Sequence, residues 1–307
     1  MTAAPRIASQ GLVYVFGEPM IELSSIAGNT ACLGVGGDTF NTSVYLSRAG
    51  IDVQYVTAIG DDPMSERVLH ALKEEGIGTD HVSVIPGKPV GLYAISLDEH
   101  GERDFTYWRQ NSAFRSWFTT RDRDETIAAM AQAGMLYLSG ITLSVFSEDE
   151  RTQINALIRK VRDNGGRVAF DTNYRPTGWA GRNVARDAIG QVMPHISIAL
   201  PTFEDDASLF GTATPEECID SWLAAGAREV CVKSGDRGAL LSGNGWVEPE
   251  TPLKPKDTTG AGDSFNGAYL AARLQGEAPA TAASHANTLA GRVIMTSGAI
   301  LPKETQI

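Results

Sequence analysis

Six short apolar runs constrain this chain more than any other feature. Residues 12–16, 53–59, 135–138, 168–170, 196–200 and 230–232 are nearly continuous hydrophobic stretches rich in β-branched and aromatic side chains. Strands that face no water on either side are what a parallel sheet covered by helices requires. Each run ends on a punctuating residue: Gly17, Gly60, Ser139-Gly140, Asp171, Pro201 or Lys233. Between the runs the apolar spacing changes to a helical period, at 39–48, 64–75, 147–164, 215–225 and 263–274. Strand alternating with helix predicts an α/β fold built on a doubly wound, mostly parallel sheet. Ligands of such sheets bind outside the carboxyl ends of the strands, where the punctuating residues stand.

One segment breaks the alternation. Residues 92–97 and 103–108, joined by 98–101, read as a β-hairpin. With 20–25 and 32–35 the hairpin predicts a second, smaller sheet, contributed by about 19–38 and 89–112 of a single α/β domain spanning 1–307. Laid over the strand ends, that sheet would be a lid that keeps water from a reactive site. An edge extension of the main sheet is the alternative.

A chain of 307 residues with 42% apolar and 21% charged side chains has the means to build a large core. Its net charge of −11 argues against sequence-independent nucleic-acid binding, which needs a basic footprint. An anionic small substrate stays open, because a few arginines reverse the potential inside a cleft. Cys32, Cys218 and Cys231 are far apart and form no C-x-x-C pair. They offer no disulfide or zinc framework and suit a reducing compartment. Residues 1–10 lack the apolar stretch of a secretory signal, and no run has the length of a membrane span. A cytoplasmic location is the expectation.

The strongest local signal is Asp257-Thr258-Thr259-Gly260-Ala261-Gly262-Asp263-Ser264-Phe265, a small-residue turn leading into a helical pattern. Gly260 and Gly262 let backbone N–H groups approach a ligand, and a helix N-terminus adds positive partial charge. Within such an anion hole Asp263 could take the proton of an attacking hydroxyl while the amides stabilise a transferring phosphoryl group. A helix-capping Asp after a glycine turn explains the same residues. No G-x-x-x-x-G-K-[ST] occurs, and no G-x-G-x-x-G follows the first strand, so P-loop and nicotinamide-dinucleotide readings lose support. H-E-x-x-H and G-x-S-x-G are absent as well.

The run Gly260-Ala261-Gly262-Asp263 resembles the C-terminal signature of the ribokinase-like (PfkB) carbohydrate kinases. Gly36-Gly37-Asp38-Thr39-Phe40-Asn41 resembles their N-terminal glycine pair followed by Asn. Four further elements resemble the 2-keto-3-deoxygluconate kinases among them: Gly17–Leu23, Tyr107-Trp108-Arg109, Tyr137–Ile141 and Asp171-Thr172-Asn173-Tyr174-Arg175-Pro176. The resemblance implies transfer of phosphate from ATP, with Mg²⁺, to the terminal hydroxyl of a six-carbon keto-deoxy sugar acid. Asp263 would be the base and Gly260, Ala261 and Gly262 the anion hole. Arg109 and Arg175 would each offer a guanidinium fork to the carboxylate. Tyr93 and Tyr107 would face the polyol, Gly36 and Gly37 would admit it closely, and Asn41 would bond its hydroxyls.

On the nucleotide side the resemblance implies Lys233, Ser234, Gly235, Arg237 and Gly238, a turn directly after a strand, together with Asn173, Thr202 and Asn287. Two positions depart from the family pattern. Thr202 and Asp205 replace an Asn-x-x-Glu pair near magnesium, leaving Asp205, through water, as the one metal candidate. Ala299 stands where some members place an Asp against the substrate. A neutral-sugar kinase such as a fructokinase and a non-catalytic sugar-acid binder are the competing readings. The epimer preferred is not legible in the sequence, and a homo-oligomer is an expectation from the open edges of a small sheet.

Overall fold

The computed structural model describes residues 11–97, 103–250 and 253–303; residues 1–10 and the turn 98–101 expected to join the hairpin lie outside them. The strands of the main sheet are β1 Val13–Phe16, β4 Val53–Ile59, β5 Gly78–Val84, β8 Met135–Ser139, β9 Arg167–Asp171, β10 Ile198–Ala199, β11 Glu229–Lys233, β12 Ala239–Leu241 and β13 Gly245–Val247. The second sheet takes β2 Met20–Ala27, β3 Thr30–Gly36, β6 Gly91–Leu97 and β7 Arg103–Trp108. All six apolar runs are strands, and the small sheet is separate from the large one.

The nine-stranded order is β13-β12-β11-β10-β9-β8-β1-β4-β5, parallel from β11 to β5 and antiparallel only at β12 and β13. Strand order reverses between β1 and β8. At such a reversal an open α/β sheet leaves a crevice at its carboxyl edge.

Helices α1 Asp38–Arg48, α2 Pro63–Glu74, α3 Arg123–Met130, α4 Gly140–Val145, α5 Glu148–Asp163, α6 Arg182–Val192, α7 Phe203–Phe210, α8 Pro215–Ala225, α9 Ala261–Leu274 and α10 Pro279–Ile294 cover the sheet. Their starts follow from local chemistry. Asp62 accepts from the amides of Met64 and Ser65 ahead of Pro63, and Ser147 and Glu150 form a reciprocal capping box before α5. Residues alternate along β1 between two cores. Tyr14 and Phe16 join Trp117, Phe114 and Phe146 on one face, while Val13 and Val15 join Tyr45, Phe265 and Tyr269 on the other. Both faces of the central strand are therefore dry, as the unbroken apolar runs demand. Among the described residues no helix is long and apolar enough to cross a membrane.

Five helices (α3, α4, α6, α7, α10) and three strands (β5, β12, β13) escape the apolar-run pattern. Strands β12 and β13 have only three residues each, and α10 is rich in alanine, which weakens its periodic contrast.

Candidate active site

Polar side chains converge on the crevice from the ends of β1, β8, β9 and β11 and from the first turns of α1 and α9. Helix α9 opens on Gly260, held at φ 73°. A β-carbon there would lie 2.4 Å from that of Ala299, so both conformation and space call for glycine. Beyond it the amides of Gly262 and Asp263 have no backbone acceptor outside the helix among the described residues, as the first turn of a helix dictates. These two amides are open donors at the mouth of α9 beside Asp263, whereas the amide of Ala261, expected with Gly260 and Gly262 in the anion hole, donates to Thr258 O at 3.3 Å.

Asp263 Oδ2 accepts from Asn41 Nδ2 at 2.8 Å, and its backbone carbonyl accepts from Thr42 Oγ1 at 3.3 Å. Burial, and next the negative charge of Asp38, push the Asp263 carboxyl up to about 7 against the opposing hydrogen bond from Asn41. A carboxylate balanced near neutrality suits proton abstraction from a hydroxyl.

Below the helix start lies a buried triangle. Lys233 Nζ donates to Asp171 Oδ2 at 2.7 Å and to Asn266 Oδ1 at 3.0 Å. Asn266 Nδ2 in turn faces Asp171 Oδ2 at 2.6 Å and Tyr137 Oη at 3.1 Å. The Lys233 ammonium lies 3.6 Å from where a Gly262 β-carbon would be, so the cation stands beside the anion hole with one of its three donors unused by these partners.

The small sheet brings its own charges. Arg109 pairs with Glu18 across the mouth of β1, and both side chains are largely buried, at 14% and 2% exposure. Tyr93 donates to Glu22 Oε2 at 2.5 Å. The Tyr93 hydroxyl would stand 2.3 Å from a β-carbon at Gly36, so glycine there makes room for tyrosine. Gly37 caps α1 at φ 125°. Tyr107 pairs with Tyr93 across β6 and β7, is 37% exposed, and feels the positive charges of Arg175 and Arg109.

The nucleotide-side residues also cluster. Ser234–Gly238 closes as a turn, with Ser234 N donating to Gly238 O at 2.8 Å, and Thr202 bridges to Lys233. Asn287 reaches the same turn, its Nδ2 donating to Val247 O at 2.8 Å and lying 3.0 Å from the β-carbon position of Gly238.

Three expectations change, and the departure at Ala299 finds a packing reason. Asp205 holds Arg175 instead of facing a metal: Arg175 Nη1 donates to its two oxygens at 3.0 and 3.1 Å and to Tyr174 O at 2.9 Å. Arg175 therefore keeps only Nε and Nη2 for a ligand, and half of its fork is spent. Among the described residues no three acidic, His or Cys side chains group to hold a metal. Arg237 stacks its guanidinium 3.9 Å from the Trp246 ring centroid, where cation–π attraction anchors it. Asn173, at φ 32°, donates to Asp38 Oδ2 at 3.2 Å and not to the 234–238 turn. Ala299 is buried against Gly260 with its carbonyl accepting from Tyr45 Oη at 2.7 Å, so packing occupies that position.

Glu18, Glu22, Asp38, Tyr137, Asp171 and Asn266 were not singled out by the motifs as site residues. For Glu18 and Asp171 a signal was present: a charged residue directly after, or ending, a buried strand. For the others the partner lies in a distant segment.

The chain matches the model of the pfkB family carbohydrate kinases over residues 11–306. It is 38% identical over 302 residues to the 2-dehydro-3-deoxygluconokinase of Dickeya dadantii, covering 95% of this chain and 97% of that one. The crystal structure of a PfkB protein from Polaromonas sp. JS666 superposes with a TM-score of 0.82 at 26% identity, over 93% of this chain and 96% of that one. A putative ribokinase II from E. coli, in complex with ATP and Mg²⁺, gives a TM-score of 0.81 at 25% identity over 94% of each chain. With a family model matched over nearly its whole length and a 38% identical relative, and with Asp263, the open amides of α9 and Lys233 in one crevice, the chain belongs to the pfkB family of carbohydrate kinases.

Proposed function

We propose that this enzyme phosphorylates 2-keto-3-deoxygluconate at its C6 hydroxyl, giving 2-keto-3-deoxy-6-phosphogluconate, with ATP and Mg²⁺. The reading is carried by one arrangement. Guanidinium groups of Arg109 and Arg175 share the crevice with a near-neutral carboxylate at the mouth of α9. A substrate that is anionic at one end and a primary alcohol at the other fits that polarity. The similarity to a 2-dehydro-3-deoxygluconokinase supports it.

ATP, held with Mg²⁺ along the Ser234–Gly238 turn, supplies the phosphoryl group. Magnesium commonly rides on the phosphates with few protein ligands, which suits a crevice without a ready cluster of acids among the described residues. Asp263 takes the proton of the C6 hydroxyl, and Asn41 aims the carboxylate. The amides of Gly262 and Asp263, with Lys233, stabilise charge on the transferring group; positioning and electrostatics supply most of the rate in phosphoryl transfer. Arg109 is held rigid by Glu18 to meet the carboxylate, with Arg175 beside it. The small sheet acts as the lid over one domain, and the edges of β3 and β7 are where a second copy of the chain would dock. A cytoplasmic location fits the use of ATP.

The pairs with Glu18 and Asp205 leave Arg109 Nε and the Nε and Nη2 of Arg175 for a ligand carboxylate, donors that a neutral ketose would not use as fully, which disfavours a fructokinase. Release of ADP, measured with 2-keto-3-deoxygluconate, its galacto epimer, fructose and ribose, tests the reading. Turnover confined to the two sugar acids is expected. Preference for fructose or ribose would refute the substrate, and no ADP with any of them would leave a binding protein.

A further inference from the structure

We propose that Asp38 is a specificity-determining residue of this reaction, its carboxylate accepting a hydrogen bond from the C4 hydroxyl of the sugar acid. The proposal rests on the function argued above and adds a residue to it.

Asp38 opens α1, one turn before Asn41, so the two side chains share a helix face. Asn41 holds the base. At the other end, Arg109 is close enough for its charge to act on Asp38, and the charge of Asp38 acts on Asp263. Asp38 is therefore within electrostatic reach of both the group that meets the carboxylate and the group that meets the C6 hydroxyl. A ligand spanning the two presents its middle carbons there.

The hydrogen bonds around Asp38 say what chemistry that middle carries. Ser139 Oγ donates to Asp38 Oδ2 at 2.5 Å, and Asn173 Nδ2 donates to the same oxygen at 3.2 Å. Both side-chain donors thus fall on one oxygen; the Thr39 backbone amide also donates to the carboxyl, and Oδ1 receives no hydrogen bond from a described side chain. The flanking amides repeat the pattern. Asn41 and Asn173 must turn Nδ2 toward a carboxylate, which fixes the opposite atom of each as an acceptor. Both of those atoms, Asn41 Oδ1 and Asn173 Oδ1, are buried without a hydrogen-bond partner. Buried acceptors left unpaired are costly, so their persistence points to a donor brought by a ligand. Phosphate and carboxylate offer no donors and would be repelled by Asp38. Sugar hydroxyls offer donors.

Position on the sugar follows from helix geometry. Three residues of α1 rise about 4.5 Å, wider than the spacing of hydroxyls on adjacent carbons and suited to one two carbons from C6. Carbon 3 has no hydroxyl in this substrate. The C5 hydroxyl is consumed when the sugar closes as a furanose, whereas the C4 hydroxyl is free in both open and closed forms.

Steady-state kinetics of the wild type and Asp38→Asn on 2-keto-3-deoxygluconate and on its 4-deoxy analogue test the assignment. Asp38→Asn is expected to lose about 10- to 100-fold in kcat/KM on the first compound, mainly through the KM of the sugar acid, with the KM of ATP unchanged. On the 4-deoxy analogue the two proteins should agree within about twofold. Equal losses on both compounds would overturn the proposal and leave Asp38 a structural tie to Ser139 and Asn173. Should Asp38→Asn not fold, Ser139→Ala loosens the carboxylate without removing it and must show the same dependence on the C4 hydroxyl at smaller size; equal losses there also overturn the proposal. A wild type inactive on 2-keto-3-deoxygluconate would remove the functional reading and this proposal together, whereas activity with equal losses removes this proposal alone.

Discussion

Asn41 Nδ2 donates to Asp263 Oδ2 at 2.8 Å, tying the first turn of α1 to the first turn of α9 across 222 positions of sequence. That hydrogen bond favours the ionised carboxylate, while burial and Asp38 favour the protonated one. The base is set by the balance.

The balance is readable in a pH profile. Asp263 works ionised, so kcat/KM in the free enzyme should rise through about pH 7. Asn41→Ala removes a bond to the charged form and should move the inflection to higher pH. An unshifted inflection in initial-rate profiles would separate the titration from Asp263.

Asp263→Asn should lower kcat by about 10²- to 10⁴-fold with modest change in either KM, as stopped assays over both substrates will show. The same variant should melt higher than the wild type above neutral pH. A carboxyl whose folded pKa exceeds its unfolded one supports the fold at low pH, and that support is lost as pH rises through about 7. Asparagine has no charge to desolvate. The melting difference should shrink toward pH 4.

Arg109→Met should both raise the KM of the sugar acid and destabilise the fold by about 3–5 kcal/mol, because Glu18 is left as a buried, unpaired charge. Adding Glu18→Gln should restore much of the stability and none of the KM. Denaturant melts with kinetics on the single and double variants separate the two effects; a double variant no more stable than the single would contradict the buried pairing.

Gly260→Ala meets both a φ of 73° and Ala299 at 2.4 Å. A stability loss of at least about 2 kcal/mol is expected, with loss of turnover as the anion hole distorts. Ala299→Gly in the same chain relieves the contact and leaves the dihedral strain, so thermal melts should recover only in part.

The sheet was legible because burial on both faces writes itself into a strand as an unbroken apolar run, and β1 is buried throughout. The hairpin was legible from its period of two. Asp263 was legible because glycine at a helix mouth is a local feature. Residues whose role depends on a distant partner were not. Nothing near Asp205 says that Arg175 will occupy it, since the pair is made by a turn after β9 meeting the start of α7. Arg237 has the look of a phosphate ligand until Trp246, nine positions on, is placed beneath it. Asn173 lies inside a family motif, yet only the fold brings it to α1.

The late position of α9 has a consequence for synthesis of the chain. A nascent polypeptide that has emerged through β13 already contains Arg109, Arg175, Lys233, Asn41 and the described strands of both sheets, while α9 and α10 are still to come. One of them carries the base. Until it docks on α1, the growing protein lacks Asp263, so under the proposed mechanism phosphoryl transfer waits for the last helices to fold.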